Sequence, residues 1–391
     1  MIKLGIGRRA FVFSALGAGV AYANLAVGLP LLALAEHRSG FVAGGLLGVD
    51  TLAFSLGALL AVLLRRSETG VAVGLAAIAA GDLIFVVLPS VTGTLFAGAL
   101  VHGTGMGLFW VGTQASLGRR SGASGSQRAF VGQYVLYVAG TATGAALTGA
   151  AIALLRVFGV AHAESIRASF VLGAASALLA LPTVVAWLRR LEVSPIARPT
   201  PSPLHGFALQ LPDLLLVAAM GMQLNLAPIV LVRVFGFTPL AISAVAGAVA
   251  AAKIGGSFAA GRITPSVGAS RAVCAMLSLS ALSVALLIGT HDAWLYVALT
   301  VAAAFMAIGV WPVVVDGALA RVSPEQRHAL SIVWNVREYA AIAATMVLGS
   351  YLFDAYGQPT LVLALTAGLL AAAAVSALLV LARPVYAPRV V

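Results

Sequence analysis

Charged side chains are rare in the long apolar segments of this chain, so the few that occur there are the first candidates for chemistry. The stretch SIVWNVREYAAIAATMVLG (331–349) carries Arg337 and Glu338 side by side near its middle. A carboxylate in apolar surroundings can take up and release protons, and a guanidinium or ammonium group can hold an anion. The other ionisable residues in comparable positions are Asp50, Asp82, His102 and Lys253.

The composition indicates the environment of these residues. Of 391 residues, 61% are hydrophobic and 9% are charged, and the mean hydropathy is +1.05. Soluble domains are about 25% charged, and a membrane span needs about 20 apolar residues. We therefore predict an all-α integral membrane protein with twelve spans, at 10–34, 41–64, 71–89, 93–117, 129–154, 168–188, 211–233, 239–261, 270–289, 293–317, 329–350 and 359–382.

The basic residues indicate the orientation of these spans. With the N-terminus inside, seventeen Lys and Arg residues fall in cytoplasmic segments, four fall outside, and two lie within predicted helices. This bias is typical of proteins whose basic loops stay in the cytoplasm. We expect a multi-pass protein of the inner membrane with both termini cytoplasmic. The net charge of +11 then reflects orientation, and we expect no nucleic-acid partner.

The sequence lacks the usual motifs of enzymes and cofactor sites. Cys274 is the only cysteine, which rules out an intramolecular disulfide and a cysteine-based zinc or iron–sulfur site. No His-Glu-x-x-His or Gly-x-Ser-x-Gly motif occurs, and the segment GTGMG (103–107) lacks the Lys-Ser/Thr of a phosphate loop. We expect no cofactor, no metal and no enzymatic activity.

The two halves of the chain resemble each other. The polar segment RRLEVSPIARPTPSPLHG (189–206) divides the predicted helices six and six. SQRAFVGQYV (126–135) matches EQRHALSIVW (325–334), and Trp110 matches Trp311, at shifts of 199 or 201 residues. A duplication explains these matches. We predict an N-terminal bundle at 1–188, a cytoplasmic linker at 189–206 and a C-terminal bundle at 207–391.

Along its whole length the sequence resembles the major facilitator superfamily. Parallel six-helix repeats are the arrangement of that family. GSFAAGRITPSVGASR (256–271) resembles its signature connection between helices, with Gly261 in place of the usual acid, and GALLAVLLRRSETG (57–70) is a degenerate first copy. HGTGMG (102–107) and GTATGAALTG (140–149) resemble its glycine-rich segments in helices four and five. The resemblance implies two pseudo-symmetric bundles with helices 1, 2, 4, 5, 7, 8, 10 and 11 around a substrate path.

This implied arrangement selects among the ionisable residues of the predicted spans. The helices around the path carry Asp50, His102, Lys253, Arg337 and Glu338, whereas Asp82 is a weaker candidate because helix three stands outside the path. Asp213 and Asp316 lie near the cytoplasmic ends of their helices, where we expect simple solvation. Adjacent helical residues diverge by about 100°, so Arg337 and Glu338 cannot point to one spot. The alternative is that these charges form ion pairs that hold helices together.

Neutral polar side chains form a second group on the helices of the predicted path. Gln133, Tyr137 and Thr141 recur at every fourth position and share one helix face. Interhelical hydrogen bonding by the amides and interfacial anchoring by the tryptophans are equally good explanations for any single member. The remaining members are Asn24, Trp110, Asn225, Trp311 and Asn335.

These residues lead to a functional hypothesis. We expect a secondary active transporter that moves a small anionic or zwitterionic organic solute by alternating access, coupled to protons. The substrate-binding candidates are Arg337, Lys253 and the polar group just described, and the proton-coupling candidates are Glu338, Asp50 and His102. Its partners would be the solute, protons and the lipid bilayer, and the protein would be a monomer. The alternative is efflux of hydrophobic drugs by proton antiport.

Overall fold

The computed structural model describes residues 6–64, 67–88, 91–189, 207–319, 321 and 324–382. Side chains within these ranges are described except at 6–8, 62–63, 67–68, 115, 117–131, 224–225, 319 and 324–332. The predicted linker (189–206) therefore lies almost wholly outside the described residues, as do the side chains of the two matching segments at 126–131 and 325–332.

The described residues form helices and no strands. Ser39 begins one of these helices, because its side chain accepts a hydrogen bond from the backbone N–H of Val42 at 3.1 Å. The eleven helices are α1 (Ile6–Ala35), α2 (Gly40–Leu63), α3 (Ser67–Val87), α4 (Thr92–Val157), α5 (His162–Leu188), α6 (Phe207–Arg233), α7 (Pro239–Val267), α8 (Ala269–Leu287), α9 (Ala293–Leu319), α10 (Pro324–Tyr356) and α11 (Thr360–Leu381).

The long helix α4 contains two predicted spans and reverses direction between them. The rings of Trp110 and Tyr137 lie 5.2 Å apart. A straight helix at 1.5 Å per residue would separate these residues by about 40 Å. The chain must therefore fold back within α4. We call its two limbs the first arm (Thr92–Gln114) and the second arm (Gly132–Val157), each of which is long and apolar enough to cross a membrane.

The predicted spans are confirmed as helices. Eleven segments of the described chain are long and apolar enough to span a bilayer, and they fall in α1–α9, with two in α4, and in α11. The remaining prediction (329–350) lies within α10, where Arg337 and Glu338 lower the hydropathy. Leu179 and Leu379 expose 77% and 67% of their surface, as expected of apolar residues that face lipid. The chain is a multi-pass membrane protein.

The helices group into two compact units. The first comprises the described part of Met1–Arg198 together with Leu231–Ala250, and the second comprises the described part of Pro199–Val230 and Ala251–Val391. The segment Leu231–Ala250 covers the end of α6 and the start of α7. The predicted division into bundles at 1–188 and 207–391 stays a prediction.

Glycines bring two helix backbones together in the same way in each unit. In the first unit, Gly57 of α2 crosses the first arm at Gly107, where a Cβ on either residue would collide with the other helix. In the second unit, Gly256 of α7 crosses α9 at Gly309 in the same manner. Small residues allow such close approach between membrane helices. The predicted repeat mates Gly57 and Gly256 therefore occupy equivalent packing positions.

Candidate functional site

A buried ion pair joins two helices near the middle of the first unit. Nδ1 of His102, in the first arm, lies 2.7 Å from Oδ1 of Asp50 in α2. Asp50 is 1% exposed and His102 is fully buried. Because a carboxylate only accepts hydrogen bonds, Nδ1 carries the hydrogen, while Nε2 has no partner among the described residues. Two predicted proton-coupling residues are thus in direct contact.

The close packing of three helices produces this contact. Gly103, next to His102, lies against the backbone carbonyl of Asp50, and a side chain there would collide with it. On the other side, a Cβ on Gly81 of α3 would lie 2.7 Å from the Cβ of His102. The glycine-rich segment that begins at His102 therefore serves helix packing, and that packing places the imidazole between α2 and α3.

Asp82 was placed outside the substrate path on sequence grounds, and the structure places it beside two of the candidates that were kept. Its side chain is fully buried, and neither carboxylate oxygen has a hydrogen-bond partner among the described residues. It interacts electrostatically with His102 and Asp50. The sequence argument considered only the position of its helix in the bundle. A helix on the outside of a path still turns one face inward, and Asp82 lies on that face.

Asn24 of α1 forms hydrogen bonds to two other helices of the first unit. Its Nδ2 donates to Thr148 Oγ1 in the second arm at 2.8 Å and to the Ser169 carbonyl in α5 at 3.1 Å. Its side chain is fully buried. Both amide hydrogens are therefore committed within the unit, which favours the interhelical explanation over direct substrate binding for this residue.

The predicted polar face of the second arm packs against α1 and the first arm. The Tyr137 ring lies 5.2 Å from Trp110 and 6.0 Å from Tyr22. Thr141 donates its hydroxyl hydrogen to the Tyr137 carbonyl at 3.0 Å, so its own helix satisfies it. Gln133 is 4% exposed, and its amide nitrogen and oxygen have no partner among the described residues. This aromatic and amide group remains a candidate for contact with a solute.

In the second unit, the adjacent residues Arg337 and Glu338 of α10 diverge. Nη1 of Arg337 donates to Gln210 Oε1 at 3.2 Å, and its guanidinium lies 5.5 Å from the ring centroid of Phe207. Glu338, 6% exposed, instead interacts with Asp213 and the Trp311 indole. Phe207 is the first residue of α6, so Arg337 lies beside the start of that helix.

Asp213 was assigned to solvent on sequence grounds, and this assignment was wrong. Its side chain is fully buried. The indoles of Trp334 and Trp311 and the amide of Gln210 lie close enough to interact with its carboxylate, yet neither oxygen forms a hydrogen bond of good geometry with a described residue. Asp316, which was also assigned to solvent, is exposed. The second unit thus holds two buried acids, Asp213 and Glu338, in one cluster.

The other candidates are less informative. Lys253 of α7 is partly buried, and no described residue forms an ion pair with it. Asn335 is 7% exposed, and the side chain of Asn225 lies outside the described residues. Within the described part of the chain, no group of three or more His, Cys, Asp or Glu residues is arranged to hold a metal ion.

Comparison with known proteins supports the architecture. No protein-family model and no curated sequence matches the chain. A POT family transporter in complex with a thioalcohol-conjugated peptide matches with a TM-score of 0.73 and 14% identity, covering 96% of this chain and 95% of that one. A bacterial homologue of the human drug peptide transporters PepT1 and PepT2 matches with a TM-score of 0.70 and 11% sequence identity, covering 97% of both chains.

A further structure, a POT family transporter in complex with 5-aminolevulinic acid, matches with a TM-score of 0.69 and 14% identity over 96% of this chain and 94% of that one. Sequence identities this low establish a shared fold and nothing finer. Each match nevertheless extends over nearly the full length of both chains. The chain therefore has the fold of the major facilitator superfamily.

Proposed function

We propose that the protein is a proton-coupled secondary active transporter of a small anionic or zwitterionic organic solute. It works by alternating access in the inner membrane as a monomer, with both termini in the cytoplasm. The similar structures are described as transporters, which supports a transport role over an enzymatic one. The two described complexes contain a peptide conjugate and 5-aminolevulinic acid, and the latter bears both an amine and a carboxylate.

The hydrogen bonding of the Arg337 guanidinium is the observation that supports an anionic group on the solute. Its Nη2 is buried and has no hydrogen-bond partner among the described residues. Its Nη1 meets a neutral amide, and the nearest acid along the chain, Glu338, is turned toward Asp213. A guanidinium in this state has free donors in a fixed plane, and a carboxylate is the ligand that fits them best. Lys253 offers a second cation without an acidic partner in the described chain.

The buried acids support proton coupling. Glu338 and Asp213 interact electrostatically with each other, and both side chains are buried. Two carboxylates confined together cannot both be ionised at low cost, so the pair retains a proton until its surroundings change. A transport cycle that opens the cluster to one side and then to the other would load and release that proton.

Uptake into proteoliposomes tests the proposal. The purified protein should accumulate a carboxylate-bearing solute when a pH gradient is imposed, and a protonophore should abolish the accumulation. Arg337→Ala should lose uptake of that solute. Glu338→Gln should keep solute exchange and lose accumulation, because the amide mimics the protonated acid at nearly the same volume.

The matched control is Asp292→Asn, because Asp292 is exposed and caps α9 through the backbone N–H of Leu295 at 2.7 Å. An asparagine can keep that cap, so uptake should be unchanged. Gradient-driven transport of lipophilic cations alone, with Arg337→Ala as active as the wild type, would contradict the proposal and favour drug efflux.

A further inference from the structure

The side chain of Asp82 lies in the first unit beside a buried acceptor that also lacks a partner among the described residues. Asp82 is fully buried, and both carboxylate oxygens lack a partner among the described residues. The Oδ1 atom of Asn24 is also buried and lacks a partner among the described residues. Both Asn24 Oδ1 and Asp82 Oδ2 lie within 3.3 Å of the point where a Cβ on Gly173 of α5 would be.

The hydrogen bonds of Asn24 fix which of its atoms faces Asp82. Thr148 uses its hydroxyl hydrogen on the Gly144 carbonyl at 2.8 Å, so Thr148 Oγ1 can only accept from Asn24. The Ser169 carbonyl also only accepts. Both contacts therefore require the amide nitrogen of Asn24, and the oxygen must point the other way, toward Asp82.

An ionised Asp82 would thus face a carbonyl oxygen without any hydrogen between them. Two unsatisfied acceptors in a buried site carry a desolvation cost that a single hydrogen would remove. A protonated Asp82 supplies that hydrogen, because its O–H can donate to Asn24 Oδ1. The small Gly173 leaves room for this contact where any side chain would collide with the carboxylate.

The charged and titratable groups around Asp82 come from every neighbouring helix. His102 of the first arm and Asp50 of α2 form the ion pair described above, and both interact electrostatically with Asp82. Tyr22 of α1 interacts with Asp50. Arg167 of α5 is engaged elsewhere, because it donates to the carbonyls of Phe85 and Leu88 at the end of α3 and pairs with Glu164.

From this arrangement we infer that Asp82 is a proton-binding site of the transport cycle, with Asn24 Oδ1 as the acceptor for the bound proton. In the loaded state, the carboxyl O–H of Asp82 donates to Asn24, and His102 and Asp50 form a neutral ion pair. Release of the proton to the opposite side leaves one net negative charge on the cluster, next to the imidazolium of His102. The inference rests on the proposed function and deepens it, because it adds a proton-binding site in the first unit to the Asp213 and Glu338 cluster of the second.

Infrared difference spectroscopy between acid and alkaline pH tests proton binding without any substrate. The wild type should show the carbonyl stretch of a protonated carboxyl group. Asp82→Asn should lose one component of that band, and Glu338→Gln should retain it. The amide of Asp82→Asn can donate to Asn24 as the protonated acid does, so the variant should stay folded and monodisperse. Asp82→Ser, which also keeps a donor, replaces it if the asparagine variant does not fold.

Proteoliposome uptake gives the second measurement. Asp82→Asn should retain solute exchange and lose accumulation driven by a pH gradient, whereas Asp292→Asn should behave as the wild type. An unchanged carboxyl band in Asp82→Asn, or undiminished accumulation by it, would overturn the inference. Because the infrared readout needs no solute, a wild type that transports nothing would contradict the proposed function and leave the result for Asp82 readable.

Discussion

His102 Nδ1 and Asp50 Oδ1 meet at 2.7 Å between the first arm of α4 and α2, with both side chains buried. Asp50 lies near the middle of α2 and His102 near the middle of the first arm, so the pair is deep in the apolar part of the unit. An isolated charge at that depth would be costly, and the partner removes most of the cost. The contact explains why two ionisable residues are tolerated there.

Removing one partner of this pair should destabilise the protein strongly. Asp50→Ala leaves the His102 imidazole buried with no described partner at either nitrogen, and breaking a buried pair costs about 3–5 kcal/mol. Thermal unfolding in detergent should show a large fall in the melting temperature. Glu164→Ala is the control, because Glu164 pairs with Arg167 at 3.2 Å with 59% of its side chain exposed. An unchanged melting temperature in Asp50→Ala would show that the pair is dispensable.

The geometry of Arg337 should matter as well as its charge. Arg337→Lys keeps a cation, but it loses the planar donor set and the packing on Phe207. We expect carboxylate substrate to bind about tenfold more weakly, a difference of about 1.4 kcal/mol. Competition of unlabelled solute against radiolabelled uptake measures the change. Arg167→Lys, in the other unit, should bind normally, and equal affinity in both variants would show that only charge is needed.

Asp213 and Glu338 should behave as one unit when neutralised. Because their carboxyl groups interact electrostatically, Asp213→Asn and Glu338→Gln should have effects on unfolding free energy that do not add. Residues in one interacting cluster show coupling of about 0.5–3 kcal/mol in double-mutant cycles. Chemical denaturation of the wild type, the two single variants and the double variant at one fixed pH measures this coupling free energy. Simple additivity would mean that the two acids act separately.

The helix crossing at Gly103 should not tolerate a side chain. Gly103→Ala would push α2 away from the first arm, because its Cβ collides with the Asp50 carbonyl, and overpacking of this kind costs about 1–3 kcal/mol. In contrast, Gly368→Ala in α11 meets no atom within 4 Å and should stabilise its helix by up to about 1 kcal/mol. Melting temperatures of the two variants should therefore move in opposite directions.

The orientation of the chain can be tested by cysteine labelling. In a background with Cys274 replaced, a cysteine at Ser194 should react with a membrane-impermeant reagent only from the cytoplasm. A cysteine at Thr290 should react only from outside. The reason is the excess of basic residues in the segments assigned to the cytoplasm. Reversed labelling would show that the chain has the opposite topology, with both termini outside the cytoplasm.

The helices were predictable because burial in lipid demands a long apolar run, and that demand is visible in composition alone. The predicted span 239–261 begins at the first residue of α7, and the predicted span 168–188 ends at the last residue of α5. The reversal inside α4 was predictable, because polar residues separate the predicted spans 93–117 and 129–154 and the two arms end and begin within three residues of those bounds.

The site was predicted only in part, because helix order does not say which way a side chain points. Asp50 and His102 were recognised as ionisable groups in apolar runs, but their contact was not. Asp213 was missed although it lies three residues after Gln210, on the same helix face, and Glu338 lies four residues after Trp334. Those spacings place each pair on one face, and they could have identified the cluster.

The paired glycines of each unit also determine which parts of the protein can change shape. At Gly57 and Gly107 the backbones of α2 and the first arm touch, and at Gly256 and Gly309 those of α7 and α9 do so. No layer of side chains lies between them that could repack, so neither helix can slide or tilt without its partner. Each pair is in effect a single stiff element, and any bending must occur elsewhere. Pro212 in α6 and Pro312 in α9 each remove a helical hydrogen bond, so the helices that carry Asp213 and Trp311 bend more easily than the paired backbones.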